Sequence, residues 1–193
     1  MAPPTAMIAA APTIGGLTII LFSEHRFVFI TTASFLLALV WKGISTYLGA
    51  APIVRCLELH EPNVIITSRV ADAALFLGPM MLVELKVYEL GWNWDDLEQL
   101  AQGTLAGHLL ECGGQLTGGF FMHPGDKHRD ISFQCLLNLP LPYAEISYQG
   151  EICVAKVDGS GGVLNFGTCA QQLLYEITDP SAYITPDMLC WLF

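Results

Sequence analysis

Asn63-Val-Ile-Ile-Thr67 decides the fold: an apolar, β-branched run with the length and composition of a buried, parallel-type strand. Before it, Ala50 to Leu59 reads as a short amphipathic helix ended by Pro62. After it, Arg69-Val-Ala-Asp72 leads into Ala-Leu-Phe-Leu, a segment that Gly78-Pro79 should break or kink, with a helix resuming from Met80 to Leu90. The order helix, strand, helix around one buried strand predicts an α/β layered domain with a mostly parallel sheet.

Further along, Asn93 reads as the N-cap of a helix running to about Cys112, with Asp95, Asp96 and Glu98 in its first turn, where the helix dipole favours acids. Glu145 to Tyr148 and Ile152 to Lys156 flank Gln149-Gly150-Glu151 as a hairpin. Thr168-Cys-Ala-Gln171 has the form of a capping box opening a helix to about Ile177, closed by Asp179-Pro180.

The 193 residues are 53% hydrophobic and 13% charged, which excludes a disordered chain and suits one domain plus an appendage. With 18 acids against 8 bases, the net charge of −10 argues against a partner held through its phosphate backbone, so no nucleic acid is expected. Charge is also unevenly placed. Residues 1–54 carry only Glu24, Arg26 and Lys42, whereas the rest carries 17 acids and 6 bases.

That division separates an apolar segment, 1–47, from a domain, 48–193. The uncharged run Phe27 to Trp41 would span about 22 Å as a helix, short of the ~30 Å hydrocarbon core. If Lys42 snorkels, the run extends to Tyr47 and becomes long enough. Residues 27–47 thus read as a membrane anchor, as a buried strand plus helix of the core, or as a segment foreign to the fold. A secretory signal fits less well, because no basic region precedes the first apolar run. Ala2 to Pro12 is small, apolar and unpatterned, and disorder is expected there. The six cysteines form no C-x-x-C pair; Cys56, Cys112 and Cys169 fall in apolar helical patterns and read as reduced thiols, which places the chain in a reducing, cytoplasmic-type compartment unless 27–47 span a membrane.

In α/β sheets ligands sit beyond the carboxyl ends of the strands, which selects Thr67, Ser68, Arg69 and Asp72. Arg69 offers a planar fork for a carboxylate or phosphate, and Asp72 either orients it or acts as a base; the alternative is a pair that only caps the next helix. His108, Glu111 and Cys112 stand at i, i+3 and i+4 and share a helix face, so an imidazole beside a carboxylate is available for proton transfer. The competing reading is a packed helix face. No second ligand completes a zinc set, and no metal is expected. His123 to Asp130 reads as a lid over an anionic substrate or as a solvated turn. Gly159, Gly161 and Gly162, in Asp158-Gly-Ser-Gly-Gly162, could cradle a phosphate with backbone N–H groups, although a plain glycine turn fits equally and the P-loop Lys-Ser/Thr is missing.

The runs RVADAALFLGP (69–79), YELGWNWDDLEQLAQGTLAGHLLECGGQLTGGFF (88–121), LPYAEI (141–146), GSGGVLNF (159–166) and QQLLYEITDPSAYITPD (171–187) resemble the N-terminal part of the acyclic terpene utilisation family, the AtuA-like proteins. The resemblance covers about residues 48–188 and is closest to plant-like members. It implies an α/β protein of the catabolism of acyclic terpenoids and related branched acyl-CoA compounds. It supplies no catalytic residues, so the sites above rest on the residues alone. Residues 1–46 differ from the glycine-rich α/β start of the family, Met81 to Lys86 reads as an insertion, and the family continues past Asp187, so the resemblance implies a fragment or variant with an incomplete sheet.

The expected activity is that of an enzyme or enzyme subunit acting on a carboxylated or CoA-linked small molecule. Arg69 would hold the anion, and His108 with Glu111 would move a proton. No cofactor is demanded beyond a CoA thioester ligand. The alternative is a non-catalytic interaction protein, membrane-tethered or paired with a second copy or partner subunit, or an inactive truncated product.

Overall fold

In the computed structural model, which describes residues 6–9, 17–22, 26–32, 47–67, 69–86, 94–119, 133–147 and 151–188, helix α1 spans Ala51–His60. Pro52 sits in its first turn, where a missing N–H costs nothing, and Glu61 ends it in the left-handed conformation at φ 43°. Its first free N–H, on Ala50, is satisfied from far away: both carboxylate oxygens of Asp187 accept from it, at 2.8 and 3.0 Å.

The strands β1 (Ala6–Ala9), β2 (Leu17–Phe22), β3 (Arg26–Thr32) and β4 (Val64–Thr67) precede β5 (Tyr143–Ile146) and β6 (Ile152–Ala155). They form two three-stranded sheets, ordered β1-β5-β6 and β2-β3-β4. The protein is thus a mixture of helices and strands, but the mostly parallel sheet is not what the described strands form. Among the described strand pairs, β3 with β4 is the parallel one; the β1–β5, β2–β3 and β5–β6 pairs are antiparallel. Short connections from β2 to β3 and from β5 to β6 account for two of the antiparallel pairs, since a tight reversal permits only antiparallel neighbours.

Strand β4 forms where expected, but its burial alternates. Ile65 is buried while Val64 and Ile66 are exposed, the pattern of a strand covered on one face. The N-terminal segment also departs from expectation. Residues 6–9 are not disordered but pair with β5, Ala6 opposite Ile146. Residues 26–32 are strand, which supports the strand reading of that run and removes its first part from any membrane-spanning helix. Among the described residues, no helix is long and apolar enough to cross a membrane. Residues 33–46 lie outside the described residues.

Helix α2 (Ala74–Lys86) runs through Gly78-Pro79 without a break and absorbs Met81 to Lys86 as its last turns. Pro79 removes one helical hydrogen bond at a cost of about 3 kcal/mol. The helix survives because Phe76, Leu77, Met80 and Met81 are all in the core, and because Gly78 lets it press against α1, where a Cβ would stand 2.9 Å from Ile53 Cγ2. Helix α3 (Leu97–Leu110) is capped by Asp96, whose side chain accepts from Gln99 N at 3.1 Å, rather than by Asn93, which lies outside the described residues. A four-residue helix α4 (Phe133–Leu136) follows, and α5 (Phe166–Glu176) closes the order. The capping box of α5 belongs to Asn165 and Thr168, so the helix opens three residues earlier than Thr168 as its cap would require.

Helix α2 packs on α1, α3, β1 and β2, while α3 also packs on β5, β6 and α5. The core between them joins Ile53, Leu57, Phe76, Leu77, Met80, Leu100, Leu110 and Ile146. At the tightest crossing, Gly107 of α3 meets Ala73: a Cβ at 107 would lie 2.8 Å from the Ala73 carbonyl oxygen.

Candidate proton-handling site

Helices α3 and α5 each end in an acid, and their packing brings the two ends together. Glu111 follows the last turn of α3 and keeps helical angles, so it stays on the face of His108. On α5, Gln172 and Glu176 are four residues apart and share a face in the same way. The Cys112 thiol donates to Glu176 Oε1 at 3.0 Å, and Gln172 Nε2 donates to the same oxygen at 3.1 Å and to the His108 carbonyl at 3.1 Å. The Glu111 carboxyl is in hydrogen-bonding contact with Glu176 and within the field of Asp72. Burial, then Asp72 and Glu176, push the Glu111 carboxyl up to about 10, against a partial opposing pull from Arg69. The Cys112 thiol is likewise pushed up to about 12, by burial first and by Glu176 second.

His108 is in the middle of this assembly and is 2% exposed. Nδ1 stands 2.8 Å from the Thr104 carbonyl, which can only accept, so Nδ1 carries the proton. Nε2 meets the Tyr183 hydroxyl, and the rings are edge to face with centroids 5.2 Å apart. Burial lowers the pKa of His108, keeping the ring neutral, so Nε2 accepts from Tyr183. The expected pairing of His108 with Glu111 is therefore not the one the geometry makes. His108 turns to Thr104 and Tyr183, and Glu111 turns to Glu176.

Arg69 acts on this cluster through its charge. The isolated parallel bridge between Leu48 and Val70 sets Tyr47 beside Arg69, since each immediately precedes a bridge partner. Arg69 donates to the Tyr47 hydroxyl at 2.9 Å, stacks 4.6 Å from its ring centroid, and stands 3.8 Å from Asp72. Both Arg69 and Asp72 remain open to solvent, with side chains 36% and 47% exposed. Thr67 ends β4 two residues before Arg69; Ser68 and the loop at 123–130 lie outside the described residues.

The glycine loop is held by the backbone. Gly161 N donates to Asn138 O at 2.8 Å and Gly162 N to Cys135 O at 3.0 Å, so these two N–H groups are committed to carbonyls. Gly159 and Gly162 have φ of 74° and 68°, and a Cβ at Gly161 would overlap the Cys135 carbonyl. Among the described residues, no group of three or more His, Cys, Asp or Glu side chains is placed to hold a metal ion.

Of the expected site residues, the structure sets Arg69 beside Asp72 and places His108 and Glu111 at the end of α3; Glu176, Gln172, Tyr183 and Tyr47, which contact them, were not singled out as site residues from the sequence. The i, i+4 spacing of Gln172 and Glu176 was the available signal, and nothing local tied it to residue 111.

Fold and site define a mixed helix-and-strand protein in which a buried imidazole and half-buried carboxyls and thiol lie within the field of an arginine. The family model described as acyclic terpene utilisation family protein AtuA matches residues 38–192, and the chain belongs to that family. No curated protein matches it, and no solved structure does.

Proposed function

We propose that the chain is an enzyme or enzyme subunit of acyclic terpenoid or branched acyl-CoA catabolism, binding a carboxylated or CoA-linked substrate at Arg69. The observation that carries this reading is the position of Arg69: a solvent-open guanidinium, backed by Tyr47, whose charge reaches a half-buried cluster that can hold protons. The planar fork suits a carboxylate or phosphate. Asp72 stands beside it, Thr67 and Ser68 precede it in the chain as further candidates for the ligand, and Glu111 and His108 supply the proton chemistry, His108 through Tyr183. The loop of Gly159, Gly161 and Gly162 serves mainly as a brace, because the N–H groups of Gly161 and Gly162 are spent on backbone carbonyls.

The test is thermal unfolding of the full chain with branched acyl-CoA thioesters and the corresponding free acids. A ligand at 100 times its Kd adds about 2.7 kcal/mol, which for this size raises the midpoint by about 5–11 °C. Arg69→Ala should abolish the shift while leaving the unliganded midpoint within about 1–2 °C, as for a solvent-open pair. A midpoint that no thioester or acid moves would favour the second reading, a non-catalytic interaction protein. That reading draws on Phe166 and Leu174 of α5, which are 90% and 71% exposed.

A further inference from the structure

Glu111 and Glu176 come from different helices and are in direct contact, yet the donors around them are unequally shared. Glu176 Oε1 accepts from Cys112 Sγ and from Gln172 Nε2. Glu111 Oε1 is buried and accepts from no donor of the protein. An ionised oxygen buried without a donor is strongly disfavoured, whereas a carboxylate with two donors is not. A second orphan lies beside the pair. Gln172 is 0% exposed, and its orientation is fixed because both the His108 carbonyl and Glu176 Oε1 require its NH2 group. Its Oε1 is left without a partner, an acceptor that a ligand's donor would satisfy.

We infer that Glu111 and Glu176 act as one unit holding a single proton, with the proton on Glu111 and the charge on Glu176, and that this unit is the proton acceptor of the site. The groups facing it are Asp72 and Arg69 from the segment before α2, His108 and Cys112 from α3 and its end, and Gln172 from α5. Asp72 adds negative charge and holds the proton in place; Arg69 opposes it. Two carboxyls in contact cannot both ionise cheaply. When a ligand X–H bond breaks, the proton forms an O–H bond on Glu176, and the electron pair stays on the ligand, where Arg69 can face it. Both carboxyls are then neutral. The substrate class is a donor of a weakly acidic proton next to an anionic or carbonyl group, and this part rests on the substrate-binding reading above.

The test is infrared spectroscopy of the full chain in H2O and D2O at pH 7 to 8. The expected result is a C=O stretch of an un-ionised carboxyl that shifts in D2O, persists to pH 9, disappears in Glu111→Gln and changes frequency in Glu176→Gln. Absence of such a band in the wild-type protein at pH 7 overturns the inference without recourse to any variant, as does a band unchanged by Glu111→Gln. A midpoint raised by Mg2+, Ca2+ or Zn2+ with simultaneous loss of the band also overturns it, since a cation would then replace the proton. The band is read without substrate. Failure of thioester binding therefore refutes the substrate reading alone, and failure of the band refutes the shared proton alone.

Discussion

The Cys112 thiol donates to Glu176 Oε1 at 3.0 Å, joining the end of α3 to the last residue of α5 across 64 positions of sequence. A thiol that serves as a donor to a carboxylate in a half-buried setting gains nothing by ionising there. Its role is to donate to the Glu176 carboxyl, and nucleophilic chemistry is the opposite of what this environment favours.

Cysteine labelling should follow from this. With its thiol pushed up to about 12, Cys112 should react with iodoacetamide at pH 8 at least tenfold more slowly than the exposed Cys135 and Cys153. Peptide mass spectrometry of a labelling time course measures it; equal rates at the three positions would contradict the arrangement.

Glu111 makes stability depend on pH with a definite sign. Its folded pKa, about 10, lies above the ordinary 4.5, so between those values the folded state holds a proton that the unfolded state lacks. That contribution is complete below about pH 4.5 and is lost as pH rises through 10. Glu111→Gln, neutral at every pH, should therefore flatten the profile and melt higher than the wild type at pH 9 relative to pH 5. Calorimetry at pH 5, 7 and 9 provides the comparison.

Tyr183→Phe leaves His108 Nε2 buried with no donor. The expected loss is about 1–3 kcal/mol, seen as a lower denaturant midpoint at an unchanged slope. Because burial lowers the pKa of His108, protonation opposes folding, and stability should fall as pH drops below 6.5. A variant as stable as the wild type would mean that Tyr183 does not serve the ring.

Gly107→Ala reverses a familiar rule. In an open helix the change stabilises by about 1 kcal/mol, but here the new methyl would stand 2.8–2.9 Å from Ala73 atoms. Separation of α2 from α3 should cost about 1–3 kcal/mol, and the midpoint should fall by about 2–12 °C. A rise in the midpoint would show that the crossing can yield.

Local chemistry was legible in the sequence. Pro62 marked the end of α1, the β-branched run at 63–67 marked β4, and the Gln149-Gly150 reversal marked the β5–β6 hairpin, all within a residue or two of the structure. Helix interiors were harder to judge. The Gly78-Pro79 pair reads as a break because a local rule counts the lost hydrogen bond, while the burial of Phe76, Leu77 and Met80 that outweighs it is a property of the packed core.

The candidate site divides along the same line. The spacing of His108, Glu111 and Cys112 by itself determined that they share a face, because helical geometry needs no partner. Only the tertiary structure decided that His108 pairs with Tyr183 and Glu111 with Glu176, and that β1 pairs with β5 instead of remaining disordered. Those partners stand far away along the chain, and their contacts exist only once burial of the common core has brought α3, α5 and the sheets together.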